Sequence, residues 1–256
     1  MKLLKAIIRL AAPLPHIEKY DRFLFIGPHP DDIEVGAGAT AAELAAQGKE
    51  ICFLICTDGR FGDEFAPKGI SGDELAELRK KEALASAELF GVKDVRFLDL
   101  SDGGRYTEEE LLNGIARAVG DFKPDVIFAP DPDVKSECHR DHLNAGRAAK
   151  QLAFFAPFAK IMEGYGAEAA PVKAIAFYMT ARPNRYVKTS GYFKKQTEAL
   201  FTCFPSQYPP ENGASASVKL YLTLRAREFG LRKFCATAEG FRILGTTHMH
   251  CLPESE

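Results

Sequence analysis

Residues 23–36 read Phe-Leu-Phe-Ile-Gly-Pro-His-Pro-Asp-Asp-Ile-Glu-Val-Gly. The first five form a short apolar run of the kind that makes a buried strand. His29, Asp31 and Asp32 therefore fall just past a strand end, which puts metal ligands and a base within one loop. A second cluster, Cys138-His139-Arg140-Asp141-His142, comes a few residues past another apolar strand, Val126-Ile127-Phe128-Ala129. Two such clusters suggest one zinc hydrolase site assembled from two loops.

Outward from these strands the chain alternates. A small-residue helix is expected from Gly38 to Gln47, with Gly48 as its stop. Glu50–Thr57 reads as a buried strand, about Asp73–Phe90 as a helix stopped by Gly91, and Val95–Leu98 as a third strand. Thr107 and Glu110 form a capping box at the head of a helix that runs to Phe122. Asp125–Pro130 is the fourth strand, Asp141–Phe155 a helix and Val172–Met179 a fifth strand. The βαβα alternation predicts an α/β, Rossmann-like, doubly wound and mainly parallel sheet with helices on both faces. From about residue 180 the pattern is less regular, with helices expected over Lys194–Phe204 and about Ser215–Phe229. No linker divides the chain, so residues 1–256 read as one domain with a C-terminal elaboration over 180–256.

Composition narrows the function. The 256 residues, 46% hydrophobic and 27% charged, suffice for a substantial core. A net charge of −2 provides no basic surface for nucleic acid. Six cysteines without a CxxC pair suit reduced thiols and a cytoplasmic enzyme. No run approaches the ~18 apolar residues of a membrane span. In residues 1–20 the amphipathic stretch Met1–Leu14 places Leu3, Leu4, Ile7, Ile8 and Ala11 on one helical face. It reads as a helix docked on its own domain, with peripheral membrane contact or a homo-oligomer contact as alternatives.

In open α/β sheets ligands bind outside the carboxyl ends of the strands, where strand order reverses. With the common order 3-2-1-4-5 that crevice lies between strands 1 and 4, which precede the two histidine loops. His29, Asp32 and His142 would supply a His₂Asp set for Zn²⁺ with a fourth position for water. Iron(II) is the alternative metal. Asp31 is placed to accept the water's proton. His139, one helical turn before His142, could polarise the carbonyl or protonate the leaving amine. Asp141 would orient a histidine as a supporting carboxylate.

The motifs PHPDDxExG (28–36) and HxDH (139–142) resemble the PIG-L/LmbE-type zinc-dependent N-acetylglucosaminyl deacetylases. Leu78–Ala83 looks like that family's R-x-x-E helix, Thr57–Gly62 and Asp99–Gly103 like two of its loops, and Ala238–Phe241 like its A-E-x-F segment. The resemblance implies zinc on His29, Asp32 and His142, Asp31 as base, and His139 on the oxyanion. It also implies that Arg79 and Asp102 contact substrate hydroxyls. Some members carry a tyrosine just before HxDH, where this chain has Ser136-Glu137-Cys138.

The expected reaction is removal of an acetyl group from an N-acetylglucosamine-type amino sugar. A non-sugar N-acyl substrate and a non-catalytic sugar- or nucleotide-binding module are the competitors. Cys138 reads as a small packing residue, and Phe154, Phe155, Phe158 and Phe177 as core. Phe61, Phe65 and Tyr106 sit in loops near the site. His248 and His250 read as a loosely ordered tail, with a second metal site as the alternative. The basic set Arg225, Arg227, Arg232 and Lys233 reads as a solvated helix face.

Overall fold

The computed structural model describes residues 7–8, 10–210, 212–250 and 252. Seven strands form one sheet: β1 (Arg22–Gly27), β2 (Glu50–Thr57), β3 (Asp94–Leu100), β4 (Val126–Pro130), β5 (Ala174–Tyr178), β6 (Arg185–Lys188) and β7 (Ala238–Gly245). Their order is β3-β2-β1-β4-β5-β7-β6. The first five pair in parallel, and β7 runs antiparallel to both β5 and β6. The chain leaves β1 towards β2 and returns to place β4 on the other side of β1. The crevice expected from the sequence therefore opens at the β1/β4 boundary.

Side-chain alternation along β1 divides the core. Leu24 and Ile26 join one cluster with Leu54, Ile127, Ile175 and residues of α3 (Glu108–Phe122) and α4 (Arg140–Phe155). Phe23 and Phe25 join the other with Phe53, Phe128, Tyr178 and residues of α1 (Asp32–Ala46) and α2 (Gly72–Phe90). Covering both faces is what a parallel sheet requires. Each of these large apolar side chains, fully removed from water, contributes roughly 1.5–3 kcal/mol before entropy is counted.

α1 begins at Asp32, not at Gly38. Gly36 and Gly38 both lie inside this helix and are there for packing. A Cβ on Gly36 would collide with the ring of Tyr178, and one on Gly38 would press on Gln196 and Phe90. Both capping boxes are formed: Thr107 with Glu110 as expected, and Ser71 with Glu74 at the head of α2, which begins one residue before the expected Asp73. The short helix α5 (Ala159–Gly164) and strands β6 and β7 were not anticipated. A further helix, α6 (Phe193–Glu198), continues as a π-helical turn over Ala199–Cys203, and α7 spans Gly213–Lys233.

Four expectations need correcting. Of the apolar face of the N-terminal stretch, Ile7 and Ala11 are exposed rather than buried on the domain and Ile8 is half-buried; Leu3 and Leu4 lie outside the described residues. Cys138 is exposed and packs no core. Phe158 is half-exposed and groups with the partly buried Phe154 and Phe155 at the end of α4. Residues 246–249 form a turn rather than a loose tail, with His248 bonded to Ala12 O at 3.1 Å and His250 stacked on Phe154. Among the described residues, no helix is long and apolar enough to cross a membrane.

Candidate active site

The loop after β1 and the head of α1 carry His29, Asp31 and Asp32, and the loop after β4 and the head of α4 carry His139, Asp141 and His142. The parallel pairing of β1 with β4 brings these two sets together. Nδ1 of His29 lies 3.1 Å from Asp32 Oδ2, and Nε2 of His142 lies 3.3 Å from Asp32 Oδ1. Two imidazole nitrogens thus approach the two oxygens of one buried carboxylate.

Each of these imidazoles has its second nitrogen held by another carboxylate. His29 Nε2 donates to Asp141 Oδ2 at 3.0 Å. His142 Nδ1 lies 3.2 Å from Glu137 Oε2. Asp141 is itself fixed by the N–H groups of Gly103 and Gly104, both at 2.7 Å, and by the Tyr106 hydroxyl at 2.9 Å. This is the arrangement that locks a metal-binding imidazole in one tautomer and orientation.

The nitrogens of His29, His139 and His142 also lie within 4.8 Å of one another, so a three-histidine ligand set has to be considered. The hydrogen bonding favours Asp32 over His139. His139 Nδ1 is taken up as the acceptor for Asp141 N, as the N-cap of α4. Its side chain is 48% exposed, against 9% for Asp32. Two imidazoles braced by carboxylates and a third carboxylate between them form a donor set that suits zinc.

Charge follows the geometry. Burial alone would raise Asp32, but His142 and His29 hold it well below the ordinary carboxylate range. Burial opposes the charged form of His29, yet Asp141 and Asp32 carry its pKa up to about 10. Asp31 goes the other way: burial and the adjacent Asp32 charge push it up to about 7. Burial, then His29 and His142, lower His139, which is neutral near pH 7. With Nδ1 accepting from the backbone, its proton sits on Nε2.

Arg79 and Asp102 are both buried at this end of the sheet, rather than a solvated charge and a free turn residue. Arg79 reaches from α2 under the loop after β2 and donates to Gly62 O at 2.9 Å. Gly59, at φ +70°, has no room for a Cβ because the guanidinium lies against it. Asp102 accepts from Phe61 N at 3.2 Å. Both side chains interact electrostatically with the loop after β1: Arg79 with Asp31, and Asp102 with His29. Phe61 is half-exposed, with the Arg105 guanidinium 4.4 Å above its ring.

The sequence reading missed two residues. Glu137 falls where the chain departs from the family pattern, and its spacing of five from His142 carries no signal of its own. Tyr208 lies in the irregular C-terminal region, yet its hydroxyl donates to Asp31 Oδ2 at 2.7 Å.

Comparison with known proteins gives the chain a family. Residues 24–153 match the model of the PIG-L family, described as GlcNAc-PI de-N-acetylase. The chain is 30% identical over 235 residues to diacetylchitobiose deacetylase of Thermococcus kodakarensis, covering 91% of this chain and 86% of that one. The chain belongs to the PIG-L family. Another relative is the 1D-myo-inositol 2-acetamido-2-deoxy-alpha-D-glucopyranoside deacetylase of Kineococcus radiotolerans. It is 35% identical over 127 residues, 48% of this chain and 35% of that one. Among solved structures, N,N'-diacetylchitobiose deacetylase from Pyrococcus horikoshii, complexed with its inhibitor MPG, superposes with a TM-score of 0.87 at 28% identity. It covers 98% of this chain and 95% of that one. The PIG-L match includes every residue of the His–Asp cluster, whereas Tyr208 lies beyond it.

Proposed function

We propose that this protein is a zinc-dependent hydrolase that removes the N-acetyl group from an N-acetylglucosamine-type amino sugar. The observation that carries the reading is the braced pair, His29 on Asp141 and His142 on Glu137, closing on Asp32 with Asp31 alongside. The sugar deacetylases among its relatives support the substrate class.

His29, Asp32 and His142 would hold the metal. Zinc bound there supplies a lowered pKa for water and polarisation of the acetyl carbonyl. The protein's own groups do the rest. Asp31 takes a proton from water as the water oxygen bonds to the carbonyl carbon. A pKa near neutrality suits a group that accepts a proton in one step and returns it in the next. His139, neutral and protonated on Nε2, donates a hydrogen bond to the oxygen that gains charge. The C–N bond then breaks, Asp31 returns its proton to the amine, and acetate and the free amino sugar remain.

Arg79 and Asp102 are assigned to substrate hydroxyls. Both lie buried beside the loops after β2 and β3, where the guanidinium and the carboxylate could pair with sugar hydroxyls. Removal of metal by chelation should abolish acetate release, and zinc should restore it. Full turnover by protein shown to be free of metal would reject the reading.

A further inference from the structure

Three consecutive residues of the C-terminal region, Ser206, Gln207 and Tyr208, reach back to the site. Ser206 donates from its backbone N at 2.9 Å and its Oγ at 2.6 Å to the carboxylate of Glu82, one turn of α2 beyond Arg79. Gln207 Nε2 donates to Pro30 O at 2.7 Å. Tyr208 donates to Asp31 Oδ2 at 2.7 Å, and its ring packs edge-on against Phe201, with centroids 5.6 Å apart. The segment thus straps α2 to both the backbone and the side chain of the loop after β1.

Asp31 needs such support. Its φ of 121° lies where L-residues rarely sit, so the surrounding contacts must hold that conformation. Its carboxylate turns about χ2, a broad torsion that by itself sets no single plane for the two oxygens. A donor on Oδ2 removes that freedom and leaves Oδ1 for the water.

We propose that Tyr208 is a positioning residue for the base: its hydroxyl fixes the Asp31 carboxylate so that Oδ1 is the oxygen that receives the proton. This rests on the role given to Asp31 above. Misplacing a reacting group by about 1 Å can cost on the order of a hundredfold in rate, and a freed carboxylate spends only part of its time misplaced.

The test is Tyr208→Phe, which keeps the ring against Phe201 and removes only the hydroxyl. We expect kcat to fall roughly ten- to hundredfold, with KM, bound zinc and melting temperature unchanged. A crystal structure of the metal-free variant should show the Asp31 carboxylate in more than one orientation. Wild-type kcat, or a raised KM with kcat kept, would overturn the proposal. So would a loss of turnover that merely tracks lost zinc or a lowered melting temperature, because that marks a structural role. Asp31→Asn is run alongside. If it turns over like the wild type, the reading of Asp31 itself has failed. If it is inactive while Tyr208→Phe is normal, only the present proposal has failed.

Discussion

Nε2 of His29 lies 3.0 Å from Oδ2 of Asp141, 112 positions further along the chain. This contact ties the loop after β1 to the head of α4, and Asp141 in turn is held by Gly103, Gly104 and Tyr106 from the loop after β3. Three strand ends are therefore joined through one carboxylate, which is only 1% exposed. The ligand cluster is organised by the protein's own hydrogen bonds.

His142 depends in the same way on Glu137, but this partner is more accessible, at 26% side-chain exposure. Glu137→Ala should leave the fold intact and weaken metal binding about ten- to a hundredfold, the usual effect of removing an orienting carboxylate. Competition against a chelator of known affinity reads this directly. Wild-type affinity would remove Glu137 from the site.

In the metal-free protein His29 is held protonated, with its pKa raised from 6.5 to about 10. The folded state then binds this proton more tightly than the unfolded state does. The resulting stabilisation is complete below pH 6.5 and is lost as pH rises through about 10. The metal competes for the same nitrogen, so binding should expel a proton. Calorimetry of zinc binding at pH 8, in buffers of different ionisation enthalpy, should show proton release. The melting temperature of the metal-free protein should fall between pH 7 and 10. Metal binding without proton release would contradict the assignment of His29.

Glu239 tests the packing behind the site. It is buried on β7, accepts from Ala39 N, Thr40 N and Gln196 Nε2, and burial pushes its pKa up to about 7. In the unfolded chain it ionises near 4.5, so between 4.5 and 7 the folded state binds more protons and stability falls as pH rises. Glu239→Gln should flatten that part of the profile relative to the wild type. Parallel curves across pH 4.5–7 would show that the Glu239 carboxyl is not perturbed.

Asp131, just past β4, is clasped by Arg242 of β7 and by the Thr180 hydroxyl, with both charged side chains almost fully buried. Asp131→Ala removes this carboxylate from the buried guanidinium and should cost about 3–5 kcal/mol in denaturant unfolding. A change below about 1 kcal/mol would mean that the remaining ion pair with Asp133 takes over.

The parallel half of the sheet was legible because β1, β2 and β4 are continuous apolar runs, buried on both faces. The candidate site was legible for the same reason: its histidines and aspartates follow β1 and β4 directly, so locating the strands located the residues. β7 was missed although all eight of its residues are buried. Its apolar pattern is broken by Glu239 and Arg242, whose charges are answered by Gln196 and Asp131 from distant parts of the chain. Glu137 and Tyr208 were missed on similar grounds. Each acts through a partner that loop geometry alone brings close, and neither sits at a spacing that a period of two or 3.6 would reveal. Tyr178 shows the reverse case. Its ring fills the space left by Gly36 and its hydroxyl donates to Ile26 O, so this glycine near a helix start records a tertiary contact and not a loop.

In the proposed reaction Asp31, beside a metal held by His29, Asp32 and His142, drives removal of an acetyl group. The most direct measurement is acetate release from N-acetylglucosamine and diacetylchitobiose by the zinc-loaded protein and by zinc-loaded Asp31→Asn. Release by the wild type is expected, with a loss of about 10²–10⁴-fold in the variant, at equal zinc content. Equal release by both proteins, or none by a fully zinc-loaded wild type on either sugar, would contradict it.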